Sequence, residues 1–187
     1  MRSFIIIFIA LISFNFSHAQ SPSSVEKSLT GIQTGLLGVW GYNEQRLGTE
    51  WTFRTEVGLD AGIFSSYYSD RGVDFLLVPV ITVEPRWYYN MNKRADKAKK
   101  TFNNAANFLS LETTYHPDWF VLTTNGDDIR IINQISFIPK WGIKRNLGRH
   151  FNYEAGVGLG YLWYLEEVWG DQGEALFNLH LRIGYNF

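Results

Sequence analysis

The last stretch of the chain, residues 175–187, constrains the fold most, because its apolar and polar residues alternate without a break. Successive side chains of a β-strand point to opposite faces. One face of this segment therefore carries only apolar or aromatic side chains, from Phe177 to Phe187, and the other carries mostly polar ones. The pattern predicts a strand sealed against an apolar medium, which we interpret as lipid, at the closing position of a transmembrane β-barrel.

The first residues have the features of a secretory signal. Arg2 is followed by an apolar run at residues 4–16, and Ser17, His18 and Ala19 precede a plausible cleavage point. The run is too short to cross a bilayer as a helix. We therefore expect residues 1–19 to be removed as a signal peptide, and residues 20–187 to form a single barrel domain.

The composition narrows the class of protein further. The chain has no cysteine, so neither disulfides nor a lipid-modified cysteine can hold it. Its net charge of −1 gives no support for nucleic acid as a partner. Aromatic residues make up 17% of the chain, and no segment after residue 19 has the length and apolarity of a membrane-spanning helix. A closed barrel is the other structure that can cross a membrane, because all its backbone groups are paired.

Seven segments have the alternation of strands. They are residues 31–43, 49–63, 74–90, 106–115, 129–143, 151–165 and 175–187. Closed single-chain bacterial barrels have an even number of strands, so we expect eight. The missing strand is either the weak stretch at residues 25–29 or residues 119–123 as a strand of their own. The fold prediction is thus all-β, a closed antiparallel transmembrane barrel.

Two further patterns bear on the topology. Proline cannot donate to a strand ladder, so Pro79 and Pro85 predict a bulge or bend in the third segment. The turns at residues 44–48 and 144–150 have similar flanking sequences, with Leu-Gly inside and aromatic residues after them. This similarity predicts that both turns lie on the same side of the membrane.

Charged residues are predicted to face the interior. They are Arg54, Glu56, Glu84, Arg86, Lys140, Glu154 and Arg182, and each lies opposite an apolar face. The interior of an eight-stranded barrel is only wide enough to be filled by side chains. Because an unpaired buried charge is costly, we predict a structural network of ion pairs. A proton path, a ligand path or a paired-carboxylate active site is the alternative reading.

A second set of charged residues lies close together in the sequence, between residues 93 and 100. Lys93, Arg94, Lys97, Lys99 and Lys100 could contact the phosphate groups of lipids, or could simply form a solvated loop.

The histidines supply further candidates for catalysis. His116 has Thr113, Thr114 and Asp118 close by in the sequence, which places a base near hydroxyls and an acid. His180 is predicted to point inward near Arg182. No spacing of histidines or carboxylates indicates a metal site, so we predict no metal, no cofactor and no enzymatic activity.

The aromatic residues near the strand ends predict girdles at the membrane surfaces. They are Trp40, Trp87, Tyr88, Tyr89, Trp141, Trp163 and Tyr185. A soluble carrier of the lipocalin kind would invert the faces, with aromatic residues inside and charges outside.

Three segments carry a resemblance to a known family. They are the alternating strand 177–187, the glycine-rich residues 156–161 and the run Glu84-Pro85-Arg86-Trp87-Tyr88-Tyr89. With the signal peptide, the chain resembles small outer-membrane β-barrel proteins of the OmpA/OmpX-like kind. The resemblance implies a monomer in a bacterial outer membrane, with a structural or surface-interaction role. Its expected partners are outer-membrane lipids, periplasmic chaperones and the barrel assembly machinery. A barrel enzyme that modifies envelope lipids and a soluble lipocalin-like carrier are the alternatives.

Overall fold

The computed structural model describes residues 23–65, 73–123, 131–168 and 171–187. The predicted signal peptide at residues 1–19 and the predicted turn at residues 125–128 lie outside them. The strands are β1 Ser28–Gly35, β2 Gly38–Arg46, β3 Trp51–Ser65, β4 Val73–Trp87, β5 Asn107–His116, β6 Leu122–Thr123, β7 Gln134–Leu147, β8 Phe151–Val168 and β9 Asp171–Asn186. A short helix, α1, spans Met91–Asp96, and a 3-10 turn spans Phe102–Asn104.

Eight of these strands form a closed antiparallel barrel. Each long strand pairs with its neighbours in the order β3, β2, β1, β9, β8, β7, β5, β4, and the pairing of β3 with β4 closes the ring. The two-residue β6 pairs with β4 beyond the end of β5, so it extends the wall without adding to the ring. The prediction of an all-β, closed, eight-stranded barrel is confirmed.

The two ends of the barrel differ. At one end, the base, lie the turn between β2 and β3, the turn between β7 and β8, the connection that contains α1, and Phe187. At the other end, the mouth, lie the turn between β1 and β2, the ends of β3, β5 and β8, and the starts of β4, β7 and β9. The two turns of similar sequence, at residues 44–48 and 144–150, are therefore on the same side, as their similarity predicts.

The eighth strand comes from the hairpin of β1 and β2. The alternation of apolar and polar residues continues through its turn and so gives no sign of the reversal. Residues 31–43 were predicted as one strand, and this is wrong: the chain reverses at Leu36 and Leu37, between the paired Gly35 and Gly38. Gly38 has φ of 146°, which favours glycine at this reversal. Residues 25–29 contribute only the start of β1, and residues 119–123 contribute only β6.

The prolines do not produce the predicted bulge. The register between β3 and β4 runs without interruption through Pro79 and Pro85. Toward β5, pairing lapses at Glu84 and Pro85 and then resumes in the same register. Pro139 coincides with a similar gap between β7 and β8. The missing N–H of a proline is therefore accommodated without the extra residue that a bulge would require. The two gaps in pairing are short, and the register is the same on both sides of each.

Side chains alternate between an apolar outside and a polar inside. Along β8, Phe151, Val157 and Trp163 are exposed, whereas Asn152 and Glu154 are buried. Two of the predicted girdle residues are wrong: Trp40 and Tyr88 point inward and are buried. Trp40 lies on the polar face of β2, and Tyr88 directly follows the end of β4.

A small apolar cluster closes the base. It consists of Val25, Tyr88, Met91, Ala106 and Phe108, all of which are fully buried. These residues come from the segment before β1, from the connection that contains α1 and from the start of β5. The connection thus folds across the base and covers the interior there.

Candidate functional site

A network of ten charged side chains fills the interior of the barrel toward the base within the described residues, and five are basic and five acidic. They are Arg54, Arg86, Lys140, Lys144, Arg182, Glu44, Glu56, Glu84, Glu112 and Glu154. All except Arg182 are buried, and the Arg182 side chain is only 11% exposed. The formal charges of this set cancel, which is the condition under which so many ions can be buried together.

The structure places all seven predicted interior charges in this set. Sequence reasoning missed three others, namely Glu44, Lys144 and Glu112. Glu44 and Lys144 had been assigned to turns, but β2 and β7 continue through them with unchanged alternation. For Lys144 the available signal was the inward Gly142 two positions earlier, whereas Glu44 shares a face with Trp40, which the girdle prediction places outside.

Glu154 is the centre of the network. Its Oε1 lies 3.1 Å from Arg54 Nη1 and 3.5 Å from Lys144 Nζ. Its Oε2 lies 3.0 Å from Arg86 Nη1 and 3.3 Å from His180 Nε2. One carboxylate on β8 therefore connects side chains from β3, β4, β7 and β9.

Glu44 joins the network to the base. Its Oε1 accepts hydrogen bonds from Thr52, Tyr88 and Asn104, at 2.9, 2.8 and 2.9 Å. Its Oε2 lies 3.3 Å from Lys144 Nζ. Because Asn104 belongs to the connection that covers the base, this carboxylate fixes that connection to the barrel wall.

The remaining ions lie toward the mouth. Lys140 Nζ is 2.9 Å from Glu84 Oε1 and also contacts Glu112. The Arg182 guanidinium donates to Glu56 Oε2 at 2.6 Å and lies over the Trp40 ring, 3.8 Å from its centroid. Each charge in this part thus has a partner on another strand.

Above the network is a cavity of about 310 Å³. Glu112, His180 and Arg182 line it from below, so the ion network forms its floor. The hydroxyls of Thr82, Thr114 and Ser136 and the hairpin residues Leu36 and Leu37 also line it. The described part of the interior is therefore filled with side chains near the base and open near the mouth.

His116 lies at this cavity, but its acidic partner differs from the one predicted. Its Nε2 is 2.8 Å from Asp60 Oδ2, and Asp60 Oδ1 accepts a hydrogen bond of 2.7 Å from the Trp40 indole. The hydroxyl of Thr114 is 3.0 Å from that of Thr82. Asp60 is distant in sequence, so the local cluster around Asp118 could not reveal this pair.

The other two histidines have different surroundings. His180 Nδ1 lies 3.4 Å from Lys140 Nζ, in addition to its contact with Glu154. His150 is at the base, where its ring stacks on Tyr185 with 5.4 Å between centroids. No group of histidine, aspartate and glutamate residues in the described ranges has the arrangement of a metal site.

The predicted phosphate-binding residues lie at the base. Lys93, Lys97, Lys99 and Lys100 are exposed on or after α1. The Arg94 guanidinium donates to the backbone carbonyl of Lys100 at 3.0 Å, and partial burial lowers its pKa. These side chains form no common pocket with the interior network, so the two predicted sites are separate.

The fold and its buried ions define the class as a closed eight-stranded antiparallel barrel with a charge-filled interior. Comparison with protein-family models, with curated proteins and with solved structures finds no match to the chain. None of the described helices has the length and apolarity needed to cross a membrane.

Proposed function

We propose that this chain is a transmembrane barrel of a bacterial outer membrane, without enzymatic activity, with a structural or surface-interaction role. The observation that carries the proposal is the inversion of the usual distribution: large apolar side chains cover the outside, and paired charges fill the inside. Monomeric soluble proteins rarely expose contiguous apolar surface on such a scale. The resemblance to OmpA/OmpX-like barrels leads to the same proposal.

The length of the apolar outer face, measured along a strand, supports the proposed membrane location. On β8 the outward residues from Tyr153 to Trp163 begin and end with aromatic side chains and have Ala155, Val157 and Leu159 between them. This length is close to the 9–11 residues that a tilted strand needs to cross a bilayer. Aromatic rings at both edges of an aliphatic band are typical of membrane barrels.

The base has a second set of surface aromatic residues. Trp51 stacks on Trp87, and the Trp141 indole donates a 2.9 Å hydrogen bond to the Tyr89 hydroxyl. Such rings prefer the boundary between lipid and water. The exposed lysines after Lys93 would then lie just below this boundary, close to lipid phosphates.

A soluble carrier of the lipocalin kind requires the opposite arrangement of faces. Its ligand would occupy an apolar interior, but here Arg54, Arg86 and Glu154 occupy the centre. The interior ions therefore favour the membrane protein over the carrier.

Fractionation tests the proposal. The chain is expressed with its first 19 residues in a Gram-negative bacterium, and the outer-membrane fraction is analysed by gel electrophoresis with and without boiling. We expect the protein in that fraction, with a folded form that migrates differently from the boiled form, because a closed barrel resists unfolding by detergent. A protein found only in the soluble extract would contradict the proposal.

A further inference from the structure

The barrel wall has a notch at the mouth, above the hairpin of β1 and β2. The pairing of β1 with β9 ends at Gly35 and Arg182, and that of β2 with β3 ends at Gly38 and Asp60. Both outer strands continue further toward the mouth, β9 to Asp171 and β3 to Ser65.

The two edges that border this notch are unpaired in the ladders of the described strands. The edge of β9 that faces away from β8 has no partner from Asp171 to Leu181. On β3 the Ala61 N–H still donates to the Leu37 carbonyl at 2.7 Å, and no ladder pairing with β2 follows it. The notch is therefore a lateral gap between β3 and β9 in the ladders of the described strands.

The notch lies at the level of the apolar outer surface. Phe177, Leu179 and Leu181 point outward on β9, on the mouth side of its last pair with β1. At the hairpin tip Leu36 is 79% exposed and Leu37 is 55% exposed. The tip thus exposes two large apolar side chains, an arrangement that fits a tip surrounded by lipid.

The notch opens into the 310 Å³ cavity. Leu36, Leu37 and Ala61 at the notch line this cavity together with the polar residues farther inside. An unpaired strand edge is unfavourable in lipid unless it lines a polar space. The joined notch and cavity thus offer an apolar route from the membrane to a polar chamber.

Two buried atoms in this chamber have no hydrogen-bond partner. They are Asn178 Oδ1 and His116 Nδ1. The amide group of Asn178 donates to Glu112, which leaves its oxygen as an acceptor. His116 Nδ1 belongs to the ring whose Nε2 contacts Asp60, so it lies beside this acceptor as a second polar atom without a partner. The chamber therefore favours a group that donates hydrogen bonds.

We propose that the notch and cavity bind a single-chain amphiphile from the surrounding lipid, with a hydroxyl or amine head in the cavity and its hydrocarbon chain in the notch. This rests on the proposed membrane location. A water molecule takes about 30 Å³ of liquid volume, so the cavity of about 310 Å³ can hold the head and the first carbons of the chain.

Histidine NMR in a bilayer tests the proposal. The protein is placed in phosphatidylcholine nanodiscs with ¹³C-labelled histidine, and 1-dodecanol is added as the probe. The His116 resonance, assigned with the variant His116→Gln, should shift and reach saturation. His150, at the base, should not shift. Dodecane, which has the same chain and no donor, should leave His116 unchanged.

Three variants test the binding route and the site of the polar head. Ala61→Trp fills the notch and should weaken the response to dodecanol at least tenfold. Ala155→Trp makes the same change at an outward position of β8 that is paired with both neighbouring strands, and it should respond like the original chain. Asn178→Leu removes one acceptor and should also weaken binding. Migration on gels before and after boiling shows whether each variant is folded.

The outcomes separate the two proposals. A chain that does not insert into nanodiscs contradicts the membrane location itself. A chain that inserts but whose His116 ignores dodecanol, or responds equally to dodecane, contradicts only the amphiphile site and leaves a cavity that holds water alone. An unchanged response in folded Ala61→Trp contradicts entry through the notch.

Discussion

Glu154 shows how a single interior residue depends on the rest of the barrel. The strand pattern predicts that it points inward, because inward and outward positions alternate along β8. The pattern does not predict its partners, since Arg54 is 100 residues away in the sequence. Only the closure of the ring brings these two strands to the same interior.

Replacing Glu154 with glutamine should destabilise the barrel strongly. The neutral side chain keeps the shape but leaves Arg54, Arg86 and Lys144 short of one negative charge. Breaking a buried ion pair on one side typically costs about 3–5 kcal/mol. Urea unfolding in a bilayer, followed by tryptophan fluorescence, measures the change.

Glu174→Gln is the matched control for this residue. Glu174 is on the neighbouring strand β9, is exposed, and accepts one hydrogen bond from the Tyr164 hydroxyl. Exposed substitutions usually change stability by no more than about 0.5 kcal/mol. Equal stabilities of the two variants would show that the network contributes little.

At the scale of elements, the pairing of β5 with β7 depends on a glycine. Phe108 faces Gly142 across the ladder, and its ring occupies the space that a side chain at position 142 would need. The Arg86 guanidinium lies over the same ring, 4.3 Å from its centroid. This contact restricts how far the ring can move away from an added side chain.

Gly142→Ala should destabilise the barrel by about 1–3 kcal/mol, the usual cost of overpacking. Gly48→Ala is the control, because the nearest atom to a side chain there is 3.7 Å away. Denaturant unfolding of both variants gives the comparison.

The double variant Phe108→Leu with Gly142→Ala tests the cause. If the clash with the ring is responsible, the smaller leucine should accommodate the added methyl group, and the two changes should cost less together than the sum of each alone. Additive costs would instead indicate a backbone effect of the alanine.

The hairpin of β1 and β2 is the element that sequence reasoning missed. The apolar alternation continues across Leu36 and Leu37, and no Asn, Asp or Pro marks the reversal. The tip packs beside β3, where the Leu37 carbonyl accepts the Ala61 N–H. A turn that depends on a neighbouring strand in this way leaves little local signal.

At the scale of the whole molecule, the environment of the outer surface decides which substitutions are tolerated. Leu111 points outward from the middle of β5 and is 43% exposed. In a soluble protein, an arginine at such a position would be close to neutral. In a bilayer, arginine near the midplane of a barrel costs about 2–4 kcal/mol.

Leu111→Arg should therefore lower the unfolding free energy in lipid vesicles by about 2–4 kcal/mol. Leu47→Arg makes the same change at the turn between β2 and β3, where the residue is 66% exposed and, in the proposed membrane, would lie near the lipid surface. There the cost should be about 0–1 kcal/mol. Equal, small costs at both positions would argue against a membrane around the barrel.

The sequence by itself determined the all-β fold and the face on which most side chains lie, because a period of two residues is a local property of each strand. Arg54, Glu56 and Arg86 could be assigned to the interior on this basis alone. The tertiary structure decided where the chain reverses at Leu36 and Leu37, which ions form pairs, and that His116 contacts Asp60. These depend on the register and closure of strands far apart in the chain, and no local pattern records them.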